Sequence, residues 1–273
     1  MPELPEVETV INALRPKIIN KRLTSFTIFW DRTLYTSNIR HLKQTIENNL
    51  PTINSIERHG KYIILSINQY YLVCHLRMTG YLYYSNNINK ESKHIRCFFQ
   101  LNDNGFIVYE DIRKFGGFYF LQSLDDIYKK TGLDPINDNY SFEWLHKNIN
   151  NRKKMIKSLL LDQKFICGIG NIYADEILWL SKIHPETAAN KISKKKIKLL
   201  YTNIQKVLLQ SIQHHGTTII NFKFDNMKTG NYKQKLMAYG RENKSCKSCL
   251  DKKIIKIKVC GRSTFICELC QKH

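Results

Sequence analysis

Apolar positions near the start of the chain fall on one helical stripe. Leu4, Val7, Ile11, Leu14 and Ile18 recur at three- and four-residue steps, which predicts an amphipathic helix over roughly 3–19. From about residue 23 the pattern changes to short β-rich runs, at 24–30, 62–67, 71–76, 81–84, 96–101, 106–109 and 117–121. Clusters of Asn, Asp and Gly separate them, as expected of antiparallel sheets packed as a sandwich. Leu133-Asp134-Pro135 breaks this pattern and marks the expected start of an interdomain link. Beyond it the period is helical, with expected helices at 141–149, 153–161, 171–180 and 193–214. The fold class expected is therefore α+β, divided at 1–133, 134–240 and 241–273.

Charge sharpens this division. The chain of 273 residues carries a formal net charge of +20. Residues 1–150 hold 18 Lys/Arg against 15 Asp/Glu, whereas residues 151–273 hold 25 against 8. A basic C-terminal half points to a polyanion, with nucleic acid first among the candidates. No uninterrupted apolar run exceeds five residues, which excludes a transmembrane helix. Cys74, Cys97 and Cys167 stand singly in apolar surroundings, as buried thiols do. The remaining cysteines do not resemble a secreted disulfide framework, so a cytosolic protein is expected.

Four of the eight cysteines form a pattern of their own. Cys246-x2-Cys249 and Cys267-x2-Cys270 are separated by 17 residues, the arrangement of a tetrahedral four-thiolate zinc ribbon. One zinc ion is expected, and four thiolates make it structural because no coordination position is left open. Between the knuckles, 252–259 alternates well enough to form one limb of a hairpin. Gly261-Arg262 would provide its turn or its return strand. Cys260 has no Cys-x2-Cys partner and is left out of the ligand set.

The N-terminus offers different chemistry. Removal of Met1 is expected to leave Pro2, a secondary amine, beside the carboxylate of Glu3. A free α-amine with a pKa of about 8 is partly unprotonated near neutral pH, and a secondary amine can form a cationic iminium with a sugar carbon. Glu3 could then move protons. Taken alone, the pair fits better as a helix start, with Pro in the first turn and an acid at the positive end. Gly168-Ile169-Gly170-Asn171 forms a turn entering a helix. Such a turn can present N–H groups to a phosphate, or serve simply as a capped helix start.

Six blocks of sequence resolve much of this ambiguity. They are Met-Pro-Glu-Leu-Pro-Glu-Val-Glu-Thr at 1–9, His-Gly-Lys-Tyr at 59–62 and His-Leu-Arg-Met-Thr-Gly at 75–80. Asp-Ile-Arg-Lys-Phe-Gly at 111–116, Gly-Ile-Gly-Asn-Ile-Tyr-Ala-Asp-Glu at 168–176 and Gly-Arg-Ser-Thr-Phe at 261–265 complete the set. In this order they resemble the bacterial formamidopyrimidine-DNA glycosylases. Leu4 resembles that branch rather than the endonuclease VIII branch. The resemblance implies a β-sandwich led by a helix, a helix–two-turn–helix domain and a zinc finger, with damaged double-stranded DNA as partner. It implies a monomeric base-excision repair enzyme of the bacterial cytosol that removes 8-oxoguanine and formamidopyrimidines and nicks the abasic strand by β,δ-elimination.

Residue roles follow from the same resemblance. Pro2 would be the nucleophile and Glu3 the acid/base; Lys61 and Arg262 join them as catalytic residues that contact phosphates around the lesion, and Asn171 would be a further phosphate contact. His94 joins the expected DNA contacts, while Glu6 and Tyr173 belong to the motifs without an assigned role. Met78, Arg113 and Phe115 would fill the gap left when the damaged base is extruded. By hydrophobicity alone, Met78 and Phe115 would instead be core residues. His75 and Lys114 receive no direct role. The chain also departs from the family. Where an Arg-Asp pair is usual in the loop that closes over the base, Ile220-Asn221 stands after Gly216-Thr217-Thr218, and Asn231-Tyr232-Lys233 replaces a Gly-Tyr-Phe stretch. These changes put preference for 8-oxoguanine in more doubt than activity on formamidopyrimidines. The knuckle separation is one residue longer than is usual in the family. A catalytically silent DNA-binding scaffold and a pyrimidine-directed glycosylase are the rival readings.

Overall fold

A computed structural model describes residues 1–35, 39–89, 92–217 and 230–272. These divide into two compact units, Met1–Ile127 with His215–Gly230, and Tyr128–His214 with Asn231–His273.

The first unit opens with helix α1 (Leu4–Ile18). All five residues of the apolar stripe are at most 2% exposed, so the 3.6-residue period buries one continuous face. Eight strands follow: β1 (Leu23–Ile28), β2 (Ile53–His59), β3 (Tyr62–Ile67), β4 (Tyr70–His75), β5 (Gly80–Ser85), β6 (Ile95–Leu101), β7 (Phe106–Asp111) and β8 (Gly117–Leu121). They form two four-stranded antiparallel sheets, ordered β1-β6-β7-β5 and β2-β3-β4-β8. One apolar cluster draws on α1 and both sheets, including Phe26, Phe99 and Ile107 from the first and Ile63, Leu72 and Phe118 from the second. Helix α2 (Ile39–Asn49) closes on this core through Leu42 and Ile46, and the short α3 (Asp125–Tyr128) follows β8.

This topology has a local consequence. Strands β4 and β8 lie in one sheet, β5 and β7 in the other. The connections at 76–79 and 112–116 therefore both cross from sheet to sheet. Pairing of Gly80 with Asp111 and of His75 with Gly117 sets these crossings side by side.

The second unit is helical and ends in a hairpin. Its helices are α4 (Phe142–Asn150), α5 (Ile156–Leu161), α6 (Asn171–Leu180) and α7 (Lys194–Gln213). Ser141 and Ser193 cap α4 and α7, each hydroxyl accepting a backbone N–H three residues on. Helix α6 is buried on nearly every side, with Tyr173, Ala174, Ile177 and Leu178 at most 1% exposed. Helix α5 starts later than its sequence pattern suggests, because Met155 is held extended in a β-bridge to Ala188. Strands β9 (Ile255–Val259) and β10 (Arg262–Ile266) form the hairpin, and Arg262 begins the return strand opposite Val259. No helix among the described residues is long and apolar enough to cross a membrane.

Candidate active site and metal centre

In the first unit the site is built around the start of α1. Pro2 is buried, and Glu3 is only 3% exposed. Glu6, 2% exposed, accepts the Glu3 N–H on Oε2 at 2.9 Å. Its Oε1 accepts the Thr217 N–H at 2.7 Å and the Thr217 hydroxyl at 3.0 Å. One buried carboxylate thus fixes both the segment at Pro2-Glu3 and the chain at Thr217. Burial draws the Met1 ammonium, which precedes Pro2 in the unprocessed chain, below its ordinary value of 8.0; Glu3 and Glu6 oppose that shift, while Lys61 and Arg113 add to it. The fold therefore brings Glu3, Lys61 and Arg113 into the electrostatic surroundings of the N-terminus. Lys61 follows Gly60 in the two-residue turn between β2 and β3 and is itself buried.

The two sheet-to-sheet crossings carry the remaining candidates of this unit. Met78 is 43% exposed and Phe115 52%, although Leu76 and Phe118 close by are at 1%. Hydrophobicity alone would have placed both in the core. The crossings instead hold them outside it, and the Arg113 guanidinium lies 4.6 Å from the centre of the Phe115 ring. His94 is exposed, with its carbonyl accepting the Asp111 N–H at 3.0 Å. His75 is buried beneath the crossings. Burial first, then Arg77 and Lys61, lower its pKa to about 3, and its Nδ1 accepts the Arg77 N–H. Its imidazole is therefore neutral at neutral pH.

In the second unit, Asn171 is the first residue of α6 and Gly170 is the cap, so Asn171 does not cap its own helix. Its Nδ2 donates to the Ser263 carbonyl at 2.9 Å, tying the helix start to the residue after Arg262. Arg262 is exposed next to the tip of the hairpin. Beneath it lies a buried ion pair. The Lys157 Nζ donates to Asp175 Oδ1 at 2.6 Å and to Thr264 Oγ1 at 2.7 Å, while Asp175 Oδ2 accepts the Phe265 N–H at 3.0 Å. Both charged side chains are fully excluded from solvent.

The sulfur atoms of Cys246, Cys249, Cys267 and Cys270 all lie within 4.8 Å of one another. Cys246 and Cys270 are 3.9 Å apart, and Cys249 and Cys267 are 3.6 Å apart. Metal–sulfur bonds of about 2.3 Å at tetrahedral angles put sulfurs about 3.8 Å from one another, so this group could hold a metal ion. Cys260 lies outside the group, exposed at the hairpin tip, with its Sγ 4.0 Å from Met155 Sδ. Cys74, Cys97 and Cys167 are buried thiols. Ile220-Asn221 and most of the loop expected over the base lie outside the described residues. After that stretch, the Asn231 N–H bonds to the His214 carbonyl and Tyr232 packs near Tyr173.

Sequence reasoning missed several partners that organise these sites: Thr79, Asp111, Lys157, Asp175 and the Thr217 contact of Glu6. Each acts through a bond to a residue distant in sequence or to backbone, which no spacing pattern reveals. The available hint was a charged side chain on a helix that is otherwise largely apolar, as with Lys157 in Ile156–Leu161.

A family model described as formamidopyrimidine-DNA glycosylase N-terminal domain matches residues 1–118, and one described as formamidopyrimidine-DNA glycosylase H2TH domain matches residues 131–223. The formamidopyrimidine-DNA glycosylase of Protochlamydia amoebophila is 37% identical over 279 residues, covering 100% of both chains. That of Mycoplasma genitalium is 37% identical over 276 residues, covering 100% of this chain and 96% of the relative. Among solved structures, a Lactococcus lactis Fpg mutant in complex with Fapy-dG-containing DNA superposes with a TM-score of 0.92 at 34% identity over 100% of both chains. The Lactococcus lactis Fpg complex with abasic-site DNA gives 0.91 at 34% identity, covering 99% of this chain and 100% of the other. The chain belongs to the formamidopyrimidine-DNA glycosylase family, bifunctional DNA glycosylases and abasic-site lyases of base-excision repair.

Proposed function

We propose that this protein excises 8-oxoguanine and formamidopyrimidines from duplex DNA and then cleaves the abasic strand, with the Pro2 amine as nucleophile. The observation that carries this reading is the buried Pro2-Glu3 segment, held by Glu6, with the charges of Lys61 and Arg113 felt at the adjoining Met1 amine. The Pro2 nitrogen forms a bond to C1′ as the bond from C1′ to the base breaks, and the base leaves with the bonding pair and takes up a proton. Opening of the sugar breaks C1′–O4′. Glu3 delivers a proton to O4′, and the nitrogen lone pair forms the iminium. Loss of a C2′ proton then expels the 3′-phosphate, loss of a C4′ proton expels the 5′-phosphate, and water releases the sugar fragment from Pro2. No oxidant or reductant is required.

The other residues position DNA. Lys61, His94, Asn171 and Arg262 contact phosphates, which fixes register without reading sequence. Met78, Arg113 and Phe115 occupy the opened base step, with Arg113 facing the orphaned partner base. The working divisions remain 1–133 for chemistry, 134–240 for the helix–two-turn–helix and capping loop, and 241–273 for the zinc finger. The metal is one structural zinc, supported by the tetrahedral sulfur spacing. We place the enzyme in the cytosol as a monomer. Ile220-Asn221 in place of Arg-Asp bears on preference for 8-oxoguanine more than on activity toward formamidopyrimidines. Borohydride reduction during turnover on lesion-bearing duplex should trap a covalent adduct that peptide mapping assigns to Pro2. An adduct on a lysine would overturn the assignment. Glu3→Gln should bind DNA but release base far more slowly.

A further inference from the structure

Asp111 ends β7 where the chain enters the crossing at 112–116, and its side chain is fully buried. No cation pairs with its carboxylate among the described residues. Five donors converge on it. Oδ1 accepts the Arg113 N–H at 3.1 Å and the Thr79 hydroxyl. Oδ2 accepts the Phe115 N–H at 2.9 Å, the Gly116 N–H at 2.8 Å and the Tyr109 hydroxyl at 3.3 Å. The Thr79 oxygen in turn accepts the Arg113 N–H at 3.0 Å, closing a ring between the two crossings.

The surroundings leave this arrangement little freedom. A Cβ on Gly116 would lie 2.1 Å from the Tyr109 hydroxyl and 2.7 Å from the His75 carbonyl. One on Gly80 would lie 2.3 Å from the Leu76 carbonyl and 2.7 Å from that same hydroxyl. Both crossings also pass through a non-glycine residue in the left-handed region, Arg77 at φ 52° beside Met78 and Lys114 at φ 59° beside Phe115. Such conformations persist only where surrounding bonds over-determine them. From outside, the Tyr35 hydroxyl donates to the Phe115 carbonyl at 2.7 Å, and the Arg96 Nε donates to the Asp111 carbonyl at 2.7 Å.

We infer that Asp111 is a positioning residue for base extrusion: its carboxylate locks the Met78 and Phe115 crossings into one rigid wedge, so that the three gap-filling side chains enter the duplex together. This rests on the gap-filling roles proposed above. A carboxylate suits the task because it offers only acceptors, one oxygen to each set of donors. Asparagine presents an NH2 in place of one oxygen and leaves buried N–H groups facing a donor.

The test compares Asp111→Asn with wild type in single-turnover excision of 8-oxoguanine and formamidopyrimidine from duplex, below the melting temperature of both proteins. Duplex excision should slow by about tenfold or more, the order expected when buried donors lose their acceptor. Strand cleavage at a preformed abasic site in single-stranded DNA, which has no base step to fill, should stay within about twofold. Preference for the base opposite the lesion should flatten, and Asp111→Asn should add nothing further in a Met78→Ala/Arg113→Ala/Phe115→Ala background. Equal slowing on single and double strands, or an undiminished effect in that background, would show a merely structural role and overturn the inference. Normal duplex excision by Asp111→Asn, with Phe115→Ala impaired, would overturn it alone. If Phe115→Ala is also normal, the gap-filling reading falls with it. Should Asp111→Asn fail to fold, Thr79→Val removes only the link between crossings and must give the same split, smaller in size; unchanged duplex excision in that variant refutes the proposal.

Discussion

Truncating Phe115 separates a wedge from a core residue more sharply than any other single change. Phenylalanine carries on the order of 200 Å² of side-chain surface, and 52% of this residue is exposed. Inserting that exposed part between bases would remove about 100 Å² from water, worth about 2.5 kcal/mol at about 25 cal/mol per Å². If this energy is realised only once the base has left the stack, Phe115→Ala slows excision by about 70-fold at saturating enzyme. Folding stability should change by only about 0.5 kcal/mol, as for other exposed sites. Leu76 supplies the control. It is 1% exposed and stands at the start of the neighbouring crossing, so Leu76→Ala should cost about 2–5 kcal/mol. Thermal melting and single-turnover excision of the same three proteins settle the matter. Melting of Phe115→Ala as low as that of Leu76→Ala, with normal turnover by the folded fraction, would return Phe115 to the core.

Three further outcomes are expected. The folded pKa of His75, about 3, lies below its unfolded value of 6.5, so the unfolded chain alone takes up a proton as pH falls below about 6.5. Its contribution is complete above that pH and about 2 kcal/mol smaller near pH 5; urea denaturation of wild type and His75→Gln at both pH values should show this excess loss in wild type only. Lys157→Met strands Asp175 without its partner and should cost about 3–5 kcal/mol, whereas Lys157→Met/Asp175→Leu should recover much of it; equal melting of both variants would argue against the pair. DNA affinity should fall steeply with salt as phosphate counterions are released, and Arg262→Ala should lower the slope of that dependence, measured by fluorescence anisotropy, where an unchanged slope would remove Arg262 from the phosphate contacts.

What was legible in the sequence depended on how local each signal was. The α1 stripe and the paired knuckles need only a few residues to declare themselves. Strand β2 did not, because a register shift between Ile53 and Ser55 breaks its alternation and leaves Ile53 and Ile56 as buried positions three apart. Helix α2 escaped notice because Leu42, Thr45 and Ile46 are its only buried residues. The placement of Met78 and Phe115 outside the core followed from motif resemblance and could not follow from hydrophobicity. Asp111 was invisible as a hub, since four of its five donors lie within five residues of it and the fifth, Thr79, is 32 residues away.

The Lys157–Asp175 pair carries a consequence for how the hairpin can be taken apart. Through Thr264 and Phe265 it welds β10 to α5 and α6, and Gln271 adds a second weld to the Ile183 carbonyl. The hairpin is therefore part of the cooperative folding unit of the helices, not an appendage hung from them. Amide protons of α6 and β10 should exchange with solvent as one population, and disrupting the four-cysteine group by Cys249→Ser should quicken both together. A hairpin grafted onto another protein without α5 and α6 would lose the partners that aim Arg262.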